Sequence, residues 1–109
     1  MPADTGTIIV FTNLPDRDSA LALAKHLVEE RFAACVNVLD GCTSVFRWQS
    51  TLQTEREVPV IIKTRRDRFA ALQEAIRTRH PYEVPEIVAV PVTDGLAEYL
   101  YWISTETQC

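Results

Sequence analysis

Glycine is scarce in this chain, three residues in 109, and neither a Gly-x-Gly-x-x-Gly run nor a P-loop occurs. The familiar backbone cradles for phosphate are therefore excluded. Basic residues are also short: 11 Lys and Arg stand against 15 Asp and Glu, for a formal charge of −4. Broad nucleic-acid binding needs basic stripes that displace counterions, so no nucleic-acid partner is expected. Cys35, Cys42 and Cys109 are odd in number and lack Cys-x-x-Cys spacing, which argues against a zinc ribbon or redox pair and leaves free thiols. No apolar run is long enough to span a bilayer, and Met1-Pro2-Ala3-Asp4-Thr5-Gly6 lacks the basic and apolar regions of a secretory signal. The expectation is a cytoplasmic protein with no membrane partner. No Ser, Cys or Thr sits in a recognisable nucleophile motif, so the chain reads as a non-enzyme. Repeats, low-complexity tracts and linkers are missing too, and a single domain over 1–109, with its core over about 7–106, is expected.

What is present is strongly patterned. Thr7-Ile8-Ile9-Val10-Phe11-Thr12 is a β-branched run closed by Asn13-Leu14-Pro15-Asp16, a buried first strand and its turn. Asp16 is placed to cap the helix that follows, whose apolar positions Ala20, Leu23, Ala24, Leu27 and Val28 repeat at helical spacing. His26 and Glu30 lie four apart on its polar face, where a solvated surface explains them better than a two-ligand metal site. Residues 33–39 read as a second strand, Asp40-Gly41 bends it, and 43–48 resumes it with Phe46 and Trp48 on one side. Gln49-Ser50-Thr51 turns the chain into a third strand over 57–63, in which Glu57, Ile61 and Lys63 share a face. That face can put a carboxylate and an ammonium at opposite ends of one pocket wall, or simply carry surface charge. Pro59 has no amide to donate and belongs at an edge, a bulge or a strand end.

Asp67 is positioned to cap a second helix built on Phe69, Leu72, Ala75 and Ile76. Residues 87–92 form a fourth buried strand, and Thr93-Asp94-Gly95 starts a last helix with Leu96, Tyr99, Leu100 and Ile103 on one face. The order is that of a split βαβ unit: an α+β, ferredoxin-like βαββαβ fold with an additional C-terminal helix. Parallel pairings across the helices and an antiparallel central hairpin are expected. The aromatic surface exceeds what one small core hides, and the 43–64 hairpin is long, which implies another subunit.

Two stretches carry candidate chemistry. His80-Pro81-Tyr82-Glu83-Val84-Pro85-Glu86-Ile87 packs an imidazole, a phenol, two carboxylates and two prolines into eight residues. Proline disfavours helical geometry in the residue before it, so His80 and Val84 are held extended, and a rigid loop lowers the ordering cost of binding. Ordinary loop chemistry also accounts for this composition. Lys63, Arg65, Arg66 and Arg68 crowd the start of the second helix, where the helix dipole favours anions. An anion or phosphate site is one reading, and solvated charges around Asp67 the other.

Ala34-Cys35-Val36-Asn37, Ser44-x-x-x-Trp48, Glu57 followed by Lys63-Thr64, the His80-Pro81-Tyr82-Glu83-Val84-Pro85-Glu86 loop and Tyr99-x-x-Trp102 together resemble the CutA divalent-cation tolerance family over roughly 7–103. The resemblance implies a ferredoxin-like subunit in a tight homotrimer, similar in architecture to PII signalling proteins and linked to tolerance of copper and other divalent metals. In some members copper ligands are assigned to a Cys ending the first strand and a His pair before Pro-Tyr. Thr12 and Arg79-His80 match those positions here. His80 is the ligand that survives, and Cys35 or Glu86 would have to approach it after folding. Two functions follow as expectations. One is a trimer that responds to copper or another divalent cation through His80, Cys35 and Glu86 near a subunit interface. The other is a PII-like sensor of an anionic small molecule or nucleotide through Lys63, Arg65 and Arg66. Trp48, Glu57 and Tyr82 complete the ligand-binding candidates.

Overall fold

A computed structural model describes residues 5–108. Residues 1–4 and Cys109, which carry most of the amino-terminal reading and the third thiol, lie outside the described residues. Strand β1 spans Thr7–Leu14, with Ile8, Val10, Thr12 and Leu14 all buried by simple alternation. Helix α1, Arg17–Glu29, starts where expected: the Asp16 carboxylate accepts from the Ser19 amide at 2.8 Å. It ends in a Schellman motif, with the Phe32 amide donating to the Leu27 carbonyl at 2.9 Å and the Arg31 amide to that of Val28 at 3.1 Å. Arg31 takes the left-handed position, φ 61°, that glycine usually fills.

The bend expected near Gly41 divides the second strand into β2, Cys35–Val38, and β3, Cys42–Trp48. Gln49 (φ 50°) and Ser50 (φ 66°) then form a two-residue hairpin loop of the I′ kind, with both residues left-handed. Strand β4, Thr51–Arg65, is 15 residues long and begins six residues before the run that sequence alone marks as strand. A single turn of 3-10 helix over Arg66–Arg68 leads into α2, Phe69–Arg79, followed by β5, Val88–Pro91, and α3, Ala97–Glu106.

The sheet order is β2-β4-β1-β5, with β3 paired to the other half of β4. Every pairing is antiparallel, which corrects the parallel pairings expected across the helices. Strands β1 and β2 run in the same direction as any βαβ crossover requires, but β4 returns between them and takes both ladders. The fold is therefore α+β and ferredoxin-like, with α3 as the additional helix. Val10, Leu14, Val60, Ile62, Leu27, Leu72 and Ile76 make the fully buried core between α1, α2 and the even-numbered face of β1 and β4. On the opposite face, Lys63 Nζ stands 5.9 Å from the Tyr99 ring centre and Arg65 donates to Thr107 Oγ1 at 2.9 Å, so α3 covers that end of the sheet.

Pro59 sits at a bulge, one of its expected places, with residues 39–41 opposite residues 58–59, and three further expectations need correction. Pro59 lies inside the central strand, opposite Asn13 of β1. In an extended chain a residue's carbonyl and amide face the same neighbour, and the Pro59 carbonyl accepts from the Leu39 amide at 3.0 Å. The donor that proline lacks therefore points at the gap between the last β2 pair, Val38 with Val60, and the first β3 pair, Cys42 with Glu57. Strand β5 is not buried: it forms an edge next to β1, and Val88 and Val90 remain 52% and 45% exposed. Asp67 caps nothing; its carboxylate accepts from Arg65 at 3.3 Å, and α2 has no side-chain cap. Helix α3 starts at Ala97 after an extended Leu96, so Thr93-Asp94-Gly95 precedes it as loop.

Candidate functional site

The odd-numbered face of the sheet, beyond the end that α3 covers, carries a cleft of about 420 Å³. Its walls come from four elements. Residues opposite one another in an antiparallel pair share a face, so the β3–β4 register places Ser44, Phe46 and Trp48 on the same side as Glu57. Asn13 joins them from β1, and the loop after α2 supplies Tyr82, Val84 and Glu86.

Asn13 holds that loop with both of its polar ends. Its carbonyl lies 2.6 Å from His80 Nε2, and its side-chain amide donates to Glu86 Oε1 at 3.0 Å. The Tyr82 amide donates to His80 Nδ1 at 3.1 Å, which fixes the tautomer: Nδ1 is the acceptor and Nε2–H donates to Asn13. His80 is 8% exposed and extended, as the following proline requires. Its ring packs 4.8 Å from that of Tyr82.

Glu57 is also only 8% exposed, although it is charged and at the base of the arm. The Tyr82 side chain lies within the field of its carboxylate. No Lys, Arg or His among the described residues forms an ion pair with it. Burying a carboxylate without a positive partner is costly. The field it creates is visible in Tyr82, whose phenol is pushed up from 10 to about 12 by partial burial and then by the charge of Glu57, with Glu55 and Asp16 adding to the same effect.

The structure thus brings Trp48, Glu57, Tyr82 and Glu86 together and separates the other candidates. Lys63 shares the face of Glu57, as the alternation predicts, but lies six residues along the strand, roughly 20 Å away, so the two do not close one pocket. Arg65 is committed to Thr107 and Asp67. With Arg66 it borders a second cavity of about 320 Å³ that Thr5, Thr7 and Ser104 also line. Cys35 sits on β2 opposite Lys63, two strands from β1 and His80's partner Asn13.

Metal ligation through His80, Cys35 and Glu86 finds no support in this geometry. Both imidazole nitrogens are engaged in hydrogen bonds, and no three His, Cys, Asp or Glu residues gather at metal-holding range among the described residues. Thr12 faces the core instead of the cleft, and its buried Oγ1 has no hydrogen-bond partner. Asn13 and Phe46 were not singled out from sequence. The signal for both is parity: each is odd-face on a strand whose alternate residues fill the core or pair across to Glu57.

Comparison with known proteins agrees with this architecture. The family model described as CutA1 divalent ion tolerance protein matches residues 8–106. A divalent-cation tolerance protein CutA of Thermus thermophilus is 43% identical over 99 residues, covering 91% of this chain and 96% of that protein. The protein of the same name in Escherichia coli is 36% identical over 102 residues, 94% of this chain and 91% of its own length. A crystal structure of CutA from Xylella fastidiosa superposes with a TM-score of 0.92 at 41% identity, covering 94% of this chain and 99% of that one. With the family model spanning nearly all of the described residues, the chain belongs to the CutA1 divalent ion tolerance family.

Proposed function

We propose that this protein serves divalent-cation tolerance as a non-catalytic, PII-like binding protein of the cytoplasm, assembled as a homotrimer, and that its cation site is the cleft between the β3–β4 arm and the loop after α2. The observation that carries the reading is Glu57, a carboxylate buried in a cavity wall with no basic partner among the described residues. Glu86 lines the same cavity and gives a second carboxylate. These oxygen donors suit a divalent cation better than His80 does, since the imidazole serves to hold the loop. Copper would bind here through oxygen, and more weakly than at a site of imidazole and thiolate. The names of the relatives, which are tolerance proteins, agree with a role in binding. Cys35 and Cys42 are both free, as a reducing compartment keeps them. Among the described residues no helix is long and apolar enough to cross a membrane.

Calorimetric titration with copper, zinc, magnesium and a nucleotide panel tests the proposal. A divalent cation should bind saturably, Glu57→Gln should remove most of that binding, and His26→Ala should leave it unchanged. Binding that survives Glu57→Gln overturns the site. Nucleotide binding lost in Lys63→Ala would instead support the anion-sensing alternative carried by Lys63, Arg65 and Arg66.

A further inference from the structure

The cleft is unlike a plain acidic pocket because half of its lining is aromatic or aliphatic. Phe46 and Trp48 come from one strand of the arm and Tyr82 from the loop, and Val45 and Val84 add to the apolar lining. Glu57 and Glu86 are the charged groups of the lining, and neither Lys nor Arg contributes to it. A small metal ion uses the carboxylates but gains nothing from three rings. An anion is repelled by both carboxylates and by the negative faces of the rings. The ligand class that uses every part of the lining is a monovalent organic cation with methyl or methylene groups around the nitrogen, because ring faces attract such a cation and a buried carboxylate neutralises it.

We propose that this cleft takes an organic ammonium ion of the quaternary or alkylated kind, with Trp48, Phe46 and Tyr82 around its alkyl groups and Glu57 as its counter-ion. The inference rests on the reading of the cleft as the cation site and adds to it the chemical class of a second occupant, one that competes with a divalent metal for Glu57. The surroundings support it beyond the lining. The chain as a whole is acidic, which raises the local concentration of cations. The volume of about 420 Å³ falls within the usual range for small-molecule sites.

Choline, and its uncharged carbon isostere carrying a tert-butyl group in place of trimethylammonium, are the probes, titrated calorimetrically into the full chain with and without a divalent metal. Choline should bind saturably and about tenfold more tightly than the isostere. Glu57→Gln should abolish that preference, and Trp48→Leu should weaken choline by about threefold to tenfold while the protein keeps its circular dichroism and its solution mass. Excess metal should shift the choline isotherm to higher concentration. Equal binding of choline and isostere, or none of choline, overturns the inference. If a divalent metal still binds through Glu57 in that case, the cation site stands and only the organic ligand falls. If neither binds and Glu57→Gln changes the solution mass, the partner of Glu57 is a basic side chain of a neighbouring copy, and both readings fall.

Discussion

Tyr82 reports the electrostatics of the cleft more directly than any other residue. Its phenol is pushed up to about 12, first by partial burial and then by the neighbouring charge of Glu57. The folded-state value lies above the unfolded one, so the associated stability is full below pH 10 and is lost as pH rises from 10 through about 12. Ultraviolet titration of tyrosinate should therefore show one late-titrating group that is missing in Tyr82→Phe and moves down towards the ordinary value in Glu57→Gln. A buried hydroxyl gives a second test. Thr12 Oγ1 has no partner, so Thr12→Val, which keeps the shape and removes the unsatisfied group, should raise unfolding stability by about 1 kcal/mol in denaturant titration with no change in slope. Much of the site can be read from residue types: Trp48, Glu57, Tyr82 and Glu86 stand out as aromatic and acidic residues at loop and strand-end positions. The role of His80 is hidden. Nothing in the sequence says that both ring nitrogens are taken, because their partners, the Asn13 carbonyl and the Tyr82 amide, are backbone groups that every residue carries.

Among the elements, the hairpin is the place where local chemistry is least satisfied. Gln49 and Ser50 both sit at positive φ, a conformation that favours Asn-Gly and penalises other side chains. Combining Gln49→Asn with Ser50→Gly should stabilise the protein by about 1 kcal/mol, seen as a higher melting temperature, while Trp48 keeps its register with Thr51. The same section of chain shows why strand boundaries resist sequence reading. Residues 51–56 have a single apolar member, the exposed Leu52, and only Gln53 is half-buried, so only their pairing with β3 makes them strand. Long-range pairing also decided the direction of the ladders and the exposure of β5, whose apolar run reads as interior but sits at an edge. Helix α1 was legible in its cap and in Ala20, Leu23, Ala24 and Leu27, because cap and apolar period are local, whereas Val28 at the end of the series is exposed. Helix α2 shows the converse, since Asp67 has the chemistry of a cap but is drawn to Arg65 instead.

The whole molecule exposes more apolar surface than its core accounts for. Val88 and Val90 pair with Phe11 and Ile9 on the odd-numbered face, and Tyr99, Tyr101 and Trp102 remain exposed on α3. Such a face is unusual for a lone domain and is the surface through which the proposed trimer would close. Light scattering of a dilute sample should give about three times the 12.3 kDa subunit mass, and Val90→Asp should shift it towards a single subunit; a wild-type monomer would refute the assembly. Pro59 has a bearing on how such a particle moves. By leaving one rung out where β2 hands over to β3, it divides a single 15-residue strand into two territories. One is woven into the sheet, and the other is a two-stranded ribbon too slight to hold its shape alone. The ribbon's order is then borrowed from whatever it leans on, so amide exchange should be fastest around Trp48, close to its tip, and slowest in the half of β4 woven into the sheet.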